Sequence, residues 1–394
     1  MKKTLTLLTL LCIVVFAQGS KNPKPKKDAS ESPPPAGKTV FDSIRGPAYN
    51  PYGTQGAATS IDDMIRYPSD IYGHKFLYIS PTEQEGYAVF DFLGGSTMFG
   101  LDNNVITLSG DQLAGLILGY ATPALGIALG YAISKEWTKS ITKVPDQTDP
   151  SKTRNHETSV RTTNPGDYIW LSLSLPLGSA KIYALGDWST GKTSWSVDDD
   201  GDKTKLDNSI IRTEIGLTGK SGSLSYLAFL AFLRTGGSFI NKDGDKAIDS
   251  TTYSNAFLGF HLGYTALQAQ TARVIVGLNN LFGVKFYDEI KKMSDSDNYI
   301  YINISPNILG EVVLFENWLA FAGATHDLRF QAGDGDRSDD TSLLFIRHDP
   351  GTKTFAGIRY RETNWALEAQ ITANPFVALG GHNTFANFGG WIYF

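Results

Sequence analysis

Cysteine is nearly missing from this chain. The one residue of that type, Cys12, lies inside an N-terminal apolar stretch. A chain that loses that stretch has no disulfides and no thiol chemistry. Charge is also sparse: Asp, Glu, Lys and Arg make up 19% of residues, against the ~25% usual in a soluble domain. The net charge of −5 gives no basic face for nucleic acid, so that class of partner is set aside. The six histidines (His74, His156, His261, His326, His348, His382) are scattered without an HExxH spacing. No nucleophile motif accompanies them, so the chain is not expected to be an enzyme.

Long apolar runs are few. Lys2 and Lys3 precede an apolar core from Leu5 to Phe16, which at about 12 residues is too short to span a bilayer as a helix. Residues 1–19 are therefore predicted to be a secretory signal. The second run, Leu113–Ser134, is long enough for a membrane helix, but Pro123 sits at its centre. A proline inside a helix costs about 3 kcal/mol. Two strands joined at Thr122–Pro123–Ala124 account for the same residues without that strain.

What the chain does have is glycine (40 residues) and aromatic side chains (12%). Residues 20–39 are rich in Pro, Lys and Ser and are expected to be a disordered lead, with a plug or hatch segment over 40–73. From His74 onward, stretches rich in β-branched and aromatic residues recur, as in strands. They fall at 74–80, 87–93, 112–121, 125–137, 168–177, 180–188, 209–219 and 224–234. The series continues at 253–264, 271–279, 299–304, 319–330, 341–347, 354–361, 365–372 and 385–394. Short links (122–124, 178–179, 220–222) alternate with long polar ones (139–166, 189–207, 236–250, 331–340). Short turns on one side and long loops on the other are the pattern of an up-and-down membrane barrel, whose strands need about 9–11 residues to cross. The reading is an all-β, transmembrane, antiparallel up-and-down β-barrel over 74–394, with about 14 strands (range about 12–16) and an N-terminal plug segment.

In lipid every N–H and C=O needs a partner, so such a sheet must close. Tyr168, Trp170, Tyr183, Trp188, Trp318 and Trp365 lie near the ends of the expected strands and fit interfacial girdles. The inner lining looks mixed. Residues 224–233 are apolar on both faces, whereas Arg212 with Glu214, and Arg359 with Arg361, give polar inner positions. A strand apolar on both faces meets lipid outside and something apolar inside.

Three of the expected outer loops carry Asp–Gly–Asp followed by Lys or Arg. The carboxylates concerned are Asp198, Asp200, Asp202 and Asp207 in the first, Asp243 and Asp245 in the second, and Asp334 and Asp336 in the third. Clustered carboxylates on a glycine turn suit calcium, which wants several hard oxygens and a sharp bend. The plainer reading is that Asp and Gly simply make turns. No other cofactor is expected.

Residues 46–73 carry Gly56–Ala57–Ala58, then Asp62–Asp63, then Tyr67–Pro68–Ser69. This resembles the N-terminal segment of the outer-membrane long-chain fatty-acid transporter superfamily, in which an Asn–Pro–Ala motif stands where Tyr67–Pro68–Ser69 stands here. Residues 304–330 resemble that superfamily's late strand pair. The resemblance implies a barrel of about 14 strands with an N-terminal plug and places Asp62, Asp63 and Pro68 at the lumen. The chain ends on Trp391, Tyr393 and Phe394, which resembles the terminal recognition strand of bacterial outer-membrane proteins. An unpaired strand edge is a template to which an assembly machine can add a strand. The expected location is the outer membrane, with its lipid, lipopolysaccharide and the barrel-assembly machinery as partners. Three functions are in view: a channel for hydrophobic or amphipathic small molecules with a plugged or narrow lumen, a scaffold barrel whose loops bind partners or surface polymers, and, least favoured for want of a nucleophile motif, an outer-membrane enzyme.

Overall fold

The computed structural model describes residues 55, 59–82, 84–106, 112–133, 136–145, 153–197, 202–240, 248–287, 299–333, 345–373 and 384–394. The signal and lead segments lie outside these residues. A short helix α1 (Ile61–Arg66) and a 3₁₀ turn (Pro68–Ile71) come first. The strands then follow as β1 (Phe76–Ser80), β2 (Glu85–Phe92), β3 (Gly95–Ile106), β4 (Gln112–Ala121), β5 (Gly126–Ile133) and β6 (Glu136–Pro145). Next are β7 (Thr153–Leu177), β8 (Ala180–Val197), β9 (Asp202–Ser221), β10 (Leu224–Ile240), β11 (Ile248–Gln268) and β12 (Ala272–Tyr287). The last are β13 (Tyr299–Phe315), β14 (Trp318–Gly333), β15 (Phe345–Arg361), β16 (Trp365–Ala373) and β17 (Thr384–Tyr393).

Every pairing among these strands is antiparallel, and β17 returns to β1 (Phe76 opposite Tyr393, Tyr78 opposite Trp391), so the sheet closes. An all-antiparallel cylinder requires an even number of staves. The seventeen segments meet that requirement because β5 and β6 both lie along β7, β5 on Tyr168–Ser174 and β6 on Thr153–Thr162. They form one stave, and the barrel has 16. The closing register ends at Tyr393, and Phe394 lies one residue past the ladder.

The expected count of about 14 is low by two, and 16 lies at the upper end of the expected range; two further differences concern which segments form the staves. Residues 95–106, which carry Gly, Asn and Asp, are absent from the expected strands, yet they pair with both β2 and β4. Residues 341–347 and 354–361 read as two strands around Pro350–Gly351, whereas β15 runs through that dipeptide. It does so by slipping register against β14 between Asp327 and Arg329. The long loops are also shorter than expected, because β6 to β11 and β14 run into them. β7 alone has 25 residues, more than twice the about 9–11 needed to cross. Above the bilayer both faces of a strand are wet, so the polar stretches there lack the apolar alternation that marks a membrane strand.

At one end the chain turns in two to four residues, between β2 and β3, β4 and β5, β7 and β8, and onward to β15 and β16. The Pro123 turn is typical. Thr122 N–H donates to the Leu125 carbonyl, 2.8 Å, and Thr122 Oγ1 accepts from Leu125 N–H, 3.2 Å. The apolar run, as far as Ile133, is thus the hairpin β4–β5, and no helix of the described residues is long and apolar enough to cross a membrane.

Side chains alternate across the wall, as a two-residue period demands. In β10, Leu224, Leu230 and Phe232 face outward, while Leu227, Phe229 and Ala231 are buried inside. Trp188, Trp318 and Trp365 are on the outer face, as expected of girdle residues. Tyr168, Trp170 and Tyr183 are not: all three are buried inside the barrel. Their parity is that of Ser172 and Asp187, which also face in. Where both faces of a strand are apolar, the sequence does not reveal which parity is which.

Candidate functional site

The inside of the barrel holds the arrangement of greatest chemical interest, and α1 begins it. Ser60 caps the helix: its Oγ accepts from Asp63 N–H, 3.0 Å, and Asp63 Oδ2 accepts from Ser60 N–H, 2.9 Å. Such a reciprocal box satisfies donors that a helix of only six residues can satisfy in no other way. Asp63 is therefore a capping residue, and Asp62 is exposed beside it. Pro68 opens the 3₁₀ turn and is buried, and proline suits a first helical position because it lacks the orphan N–H.

Ile61, Met64 and Ile71 join a core of wall residues that includes Phe76, Val89, Met98, Ile117 and Trp170. On the opposite side of the segment, Tyr67 packs with Tyr183, Leu227, Phe229 and Ala231. The apolar inner face of β10 thus meets apolar chain. Two glycines let the segment's backbone lie flat on the wall. A Cβ at Gly126 of β5 would stand 2.0 Å from Ser69 N, and one at Gly263 of β11 would stand 1.8 Å from Gln55 O. The described chain thus touches the wall at β11 near Gln55 and at β4 and β5 near Pro68–Ile71. Polar bonds fix it between. Ser172 Oγ donates to the Arg66 carbonyl and Ser69 N–H donates to Ser174 Oγ, each 2.7 Å. Gly73 N–H donates to Ser96 Oγ, 3.0 Å.

Charge concentrates at Arg66. Its guanidinium pairs with Glu214 of β9, whose side chain is fully buried. Tyr183 donates to the same carboxylate at 2.6 Å, and Arg212 Nη2 reaches its other oxygen at 2.5 Å. Asp187 stands 3.9 Å from Arg212. The Arg66 guanidinium carbon lies 5.2 Å from the Phe229 ring centre, 5.5 Å from Tyr183 and 5.7 Å from Tyr67. Tyr67 and Tyr183 meet edge to face at 4.8 Å, and His261 stands edge-on to Phe229 at 5.5 Å. A second pair ties the 3₁₀ turn to β8: Lys181 Nζ donates to Asp70 Oδ2 at 2.6 Å.

The surroundings shift the segment's own titrating groups. Burial acts to lower the Arg66 guanidinium, but the neighbouring Tyr67, Glu214 and Tyr183 outweigh it and hold it well above its ordinary value. Burial pushes the Tyr67 phenol well up, against the pull of Arg66. Burial likewise raises the Asp70 carboxyl, with Lys181 opposing.

The structure brings Asp62, Asp63 and Pro68 together inside the barrel wall with Arg66, Tyr67 and Asp70, which the sequence did not single out. Arg212 and Glu214 were legible as inner polar residues, but nothing in sequence linked Glu214 to Arg66. At the C-terminus, Trp391 is buried against Tyr78, ring centres 4.6 Å apart, and Tyr393 OH accepts from Arg359 at 2.7 Å. Phe394 is exposed. Asp198, Asp200, Asp243, Asp245, Asp334 and Asp336 lie outside the described residues. Asp202 and Asp207 belong to β9 by backbone, with side chains likewise outside. Among the described residues no three metal-binding side chains gather.

No protein-family model matches the chain, and no curated protein sequence resembles it. Similar solved structures include the toluene transporter TodX of Pseudomonas putida, 9% identical, over 90% of this chain and 97% of that one, TM-score 0.39. The β domain of the Bordetella autotransporter BrkA is 13% identical, over 68% of this chain and 99% of that one, TM-score 0.32. OmpT of Vibrio cholerae, in a form lacking loop L8, is 12% identical, over 81% and 97%, TM-score 0.34. At these identities and scores none of them bears on what this chain does, and the superfamily resemblance of residues 46–73 stays without a family match. The closed wall of 16 staves, apolar on its outer face, is by itself that of an outer-membrane β-barrel.

Proposed function

We propose that the barrel is a non-enzymatic, gated passage for small amphipathic molecules, with residues 59–73 as the gate. The carrying observation is how that segment is held. Among the described residues it shares no strand ladder with the wall; its attachments are side-chain ion pairs, a few hydrogen bonds and buried apolar contacts. Attachments of this kind open one by one, whereas a ladder releases cooperatively. The lining also fits an amphipathic solute, since Leu227, Phe229 and Ala231 adjoin Glu214, Arg212 and Asp187.

Gly126→Leu tests the reading, because its side chain would occupy the place of the Ser69 backbone. Reconstituted in proteoliposomes, this variant is expected to admit small amphipathic dyes at least about tenfold faster than wild type, with the barrel still folded. Sugars of equal size should gain less. Absence of flux in both wild type and variant would overturn the passage.

The height of the wall favours a second reading. Staves such as β7 and β11, with 25 and 21 residues, extend well past the bilayer and offer a rigid rim to a partner or surface polymer. Binding of such a polymer to cells, unaffected by Gly126→Leu and lost when the rim is shortened, would support it over transport.

A further inference from the structure

We infer that the Arg66 side chain occupies a built receptor site for an organic cation, and that a cationic, amphipathic solute enters the barrel by taking its place. This rests on the passage proposed above and names the class of its substrate. Three aromatic rings, those of Tyr67, Tyr183 and Phe229, stand within 6 Å of the Arg66 guanidinium. That is the distance at which a ring face attracts a cation. A buried carboxylate, Glu214, closes the cage, and Leu227 and Ala231 supply an apolar wall beside it. Aromatic faces around one carboxylate form a site for a cation carrying an apolar body, whichever molecule the cation belongs to.

Two further facts argue that the occupant is exchangeable. The Arg66 Nε is buried with no hydrogen-bond partner among the described residues, as are the Nε atoms of Arg212 and Arg329. An unmet buried donor is a standing cost that a better-fitting head group avoids. The charge balance also depends on Arg66. Arg66 and Arg212 face Glu214 and Asp187, two against two, with Lys181 and Asp70 paired to one side. Withdrawal of the Arg66 side chain alone leaves one negative charge in excess, and Tyr67 stays to complete the cage.

The test is titration calorimetry of the full-length protein in micelles with benzamidinium, and with benzamide as the neutral analogue of the same shape. Arg66→Ala should bind benzamidinium at least about tenfold more tightly than wild type, and benzamide no better than wild type does. Arg66→Ala with Glu214→Gln should lose that gain, and Arg66→Ala with Phe229→Ala should lose most of it. Should Arg66→Ala fail to fold, wild type answers instead: saturating benzamidinium should speed hydrogen exchange at the Ser69 and Gly73 amides, and benzamide should not. Equal affinity of wild type and Arg66→Ala, or equal binding of the two ligands, would overturn the inference. Flux measured in parallel separates the two claims. Binding without flux in any variant would leave the cation site standing and remove the passage. Flux of neutral and cationic solutes alike, without benzamidinium binding, would do the reverse.

Discussion

The barrel is lined differently on its two sides. On the arc that runs from β16 and β17 through β1 to β12 the inner face shares its clusters with the N-terminal segment: Ile61, Met64 and Ile71 on one flank, Tyr67 on the other, and ion pairs that run from segment to wall. Across the remainder, from Ile275 of β12 to β15, the wall lines itself. Ile275, Leu309, Phe321 and Phe355 form a cluster without any residue of the segment. Two buried ion pairs, Arg273 of β12 with Glu311 of β13 and Arg359 of β15 with Glu368 of β16, join neighbouring staves and involve no residue of the segment. The same chemistry, a buried arginine on a glutamate, thus holds a detachable part in one place and the permanent cylinder in the other. What separates the cases is whether each charge keeps a partner when its mate is removed.

Arg359→Ala should have the largest effect. Arg359 is fully buried, donates to Glu368 at 2.9 Å and to Tyr393 OH at 2.7 Å, and lies 4.2 Å from the Trp391 ring. Its loss strands Glu368 in a water-poor interior, which costs about 3–5 kcal/mol. The strands affected, β15 to β17, include the one that closes on β1. Urea unfolding in micelles, followed by the shift between folded and unfolded bands on a gel, should show the barrel's midpoint falling sharply. A barrel indifferent to this change would mean that closure does not depend on this pair.

Arg66→Ala should act on the segment alone. Glu214 keeps Arg212 and the Tyr183 hydroxyl as donors, so although the cluster is left with one negative charge in excess, no carboxylate there loses its last partner, and the barrel's midpoint should fall by less than it does for Arg359→Ala. The loss of a charge-assisted bond, worth about 1.5–3 kcal/mol, should appear locally as faster exchange at the Ser69 and Gly73 amides by about tenfold or more. A global loss as large as that of Arg359→Ala would erase the distinction between the two sides.

The wall was legible in the sequence because its physics is local. Pro123 in an apolar run, the short links and the terminal aromatic strand each point to a strand or a turn without knowledge of the partner. The misread elements have equally local causes. Residues 95–106 carry turn-forming Gly and Asn but pair because both neighbours hold them. Pro350–Gly351 reads as a turn, and β15 absorbs it in a register slip. The inward placement of Tyr168, Trp170 and Tyr183 was hidden because parity is fixed only once one inner residue is known. The site was least legible of all. Arg66 meets Glu214 across 148 positions of chain, and no pattern of spacing carries a contact that closure of the cylinder creates.

The finest distinction between the sides concerns pH, since the segment's second anchor titrates. Burial raises the Asp70 carboxyl above its ordinary value, Lys181 opposing. A group whose folded value is raised favours the docked state when protonated. Its contribution is therefore full below the ordinary carboxyl range and is lost as pH rises through the raised value. Wild type should accordingly hold the segment slightly more firmly at mildly acid pH than at neutral pH. Asp70→Asn should remove that component while its amide oxygen still accepts from Lys181. A spin label on Tyr72→Cys, an exposed site next to the 3₁₀ turn, reports docking directly. Label mobility should rise with pH in the wild-type background more than in Asp70→Asn, by less than Arg66→Ala raises it at any one pH. Parallel pH curves in the two backgrounds would show that Asp70 does not titrate against docking.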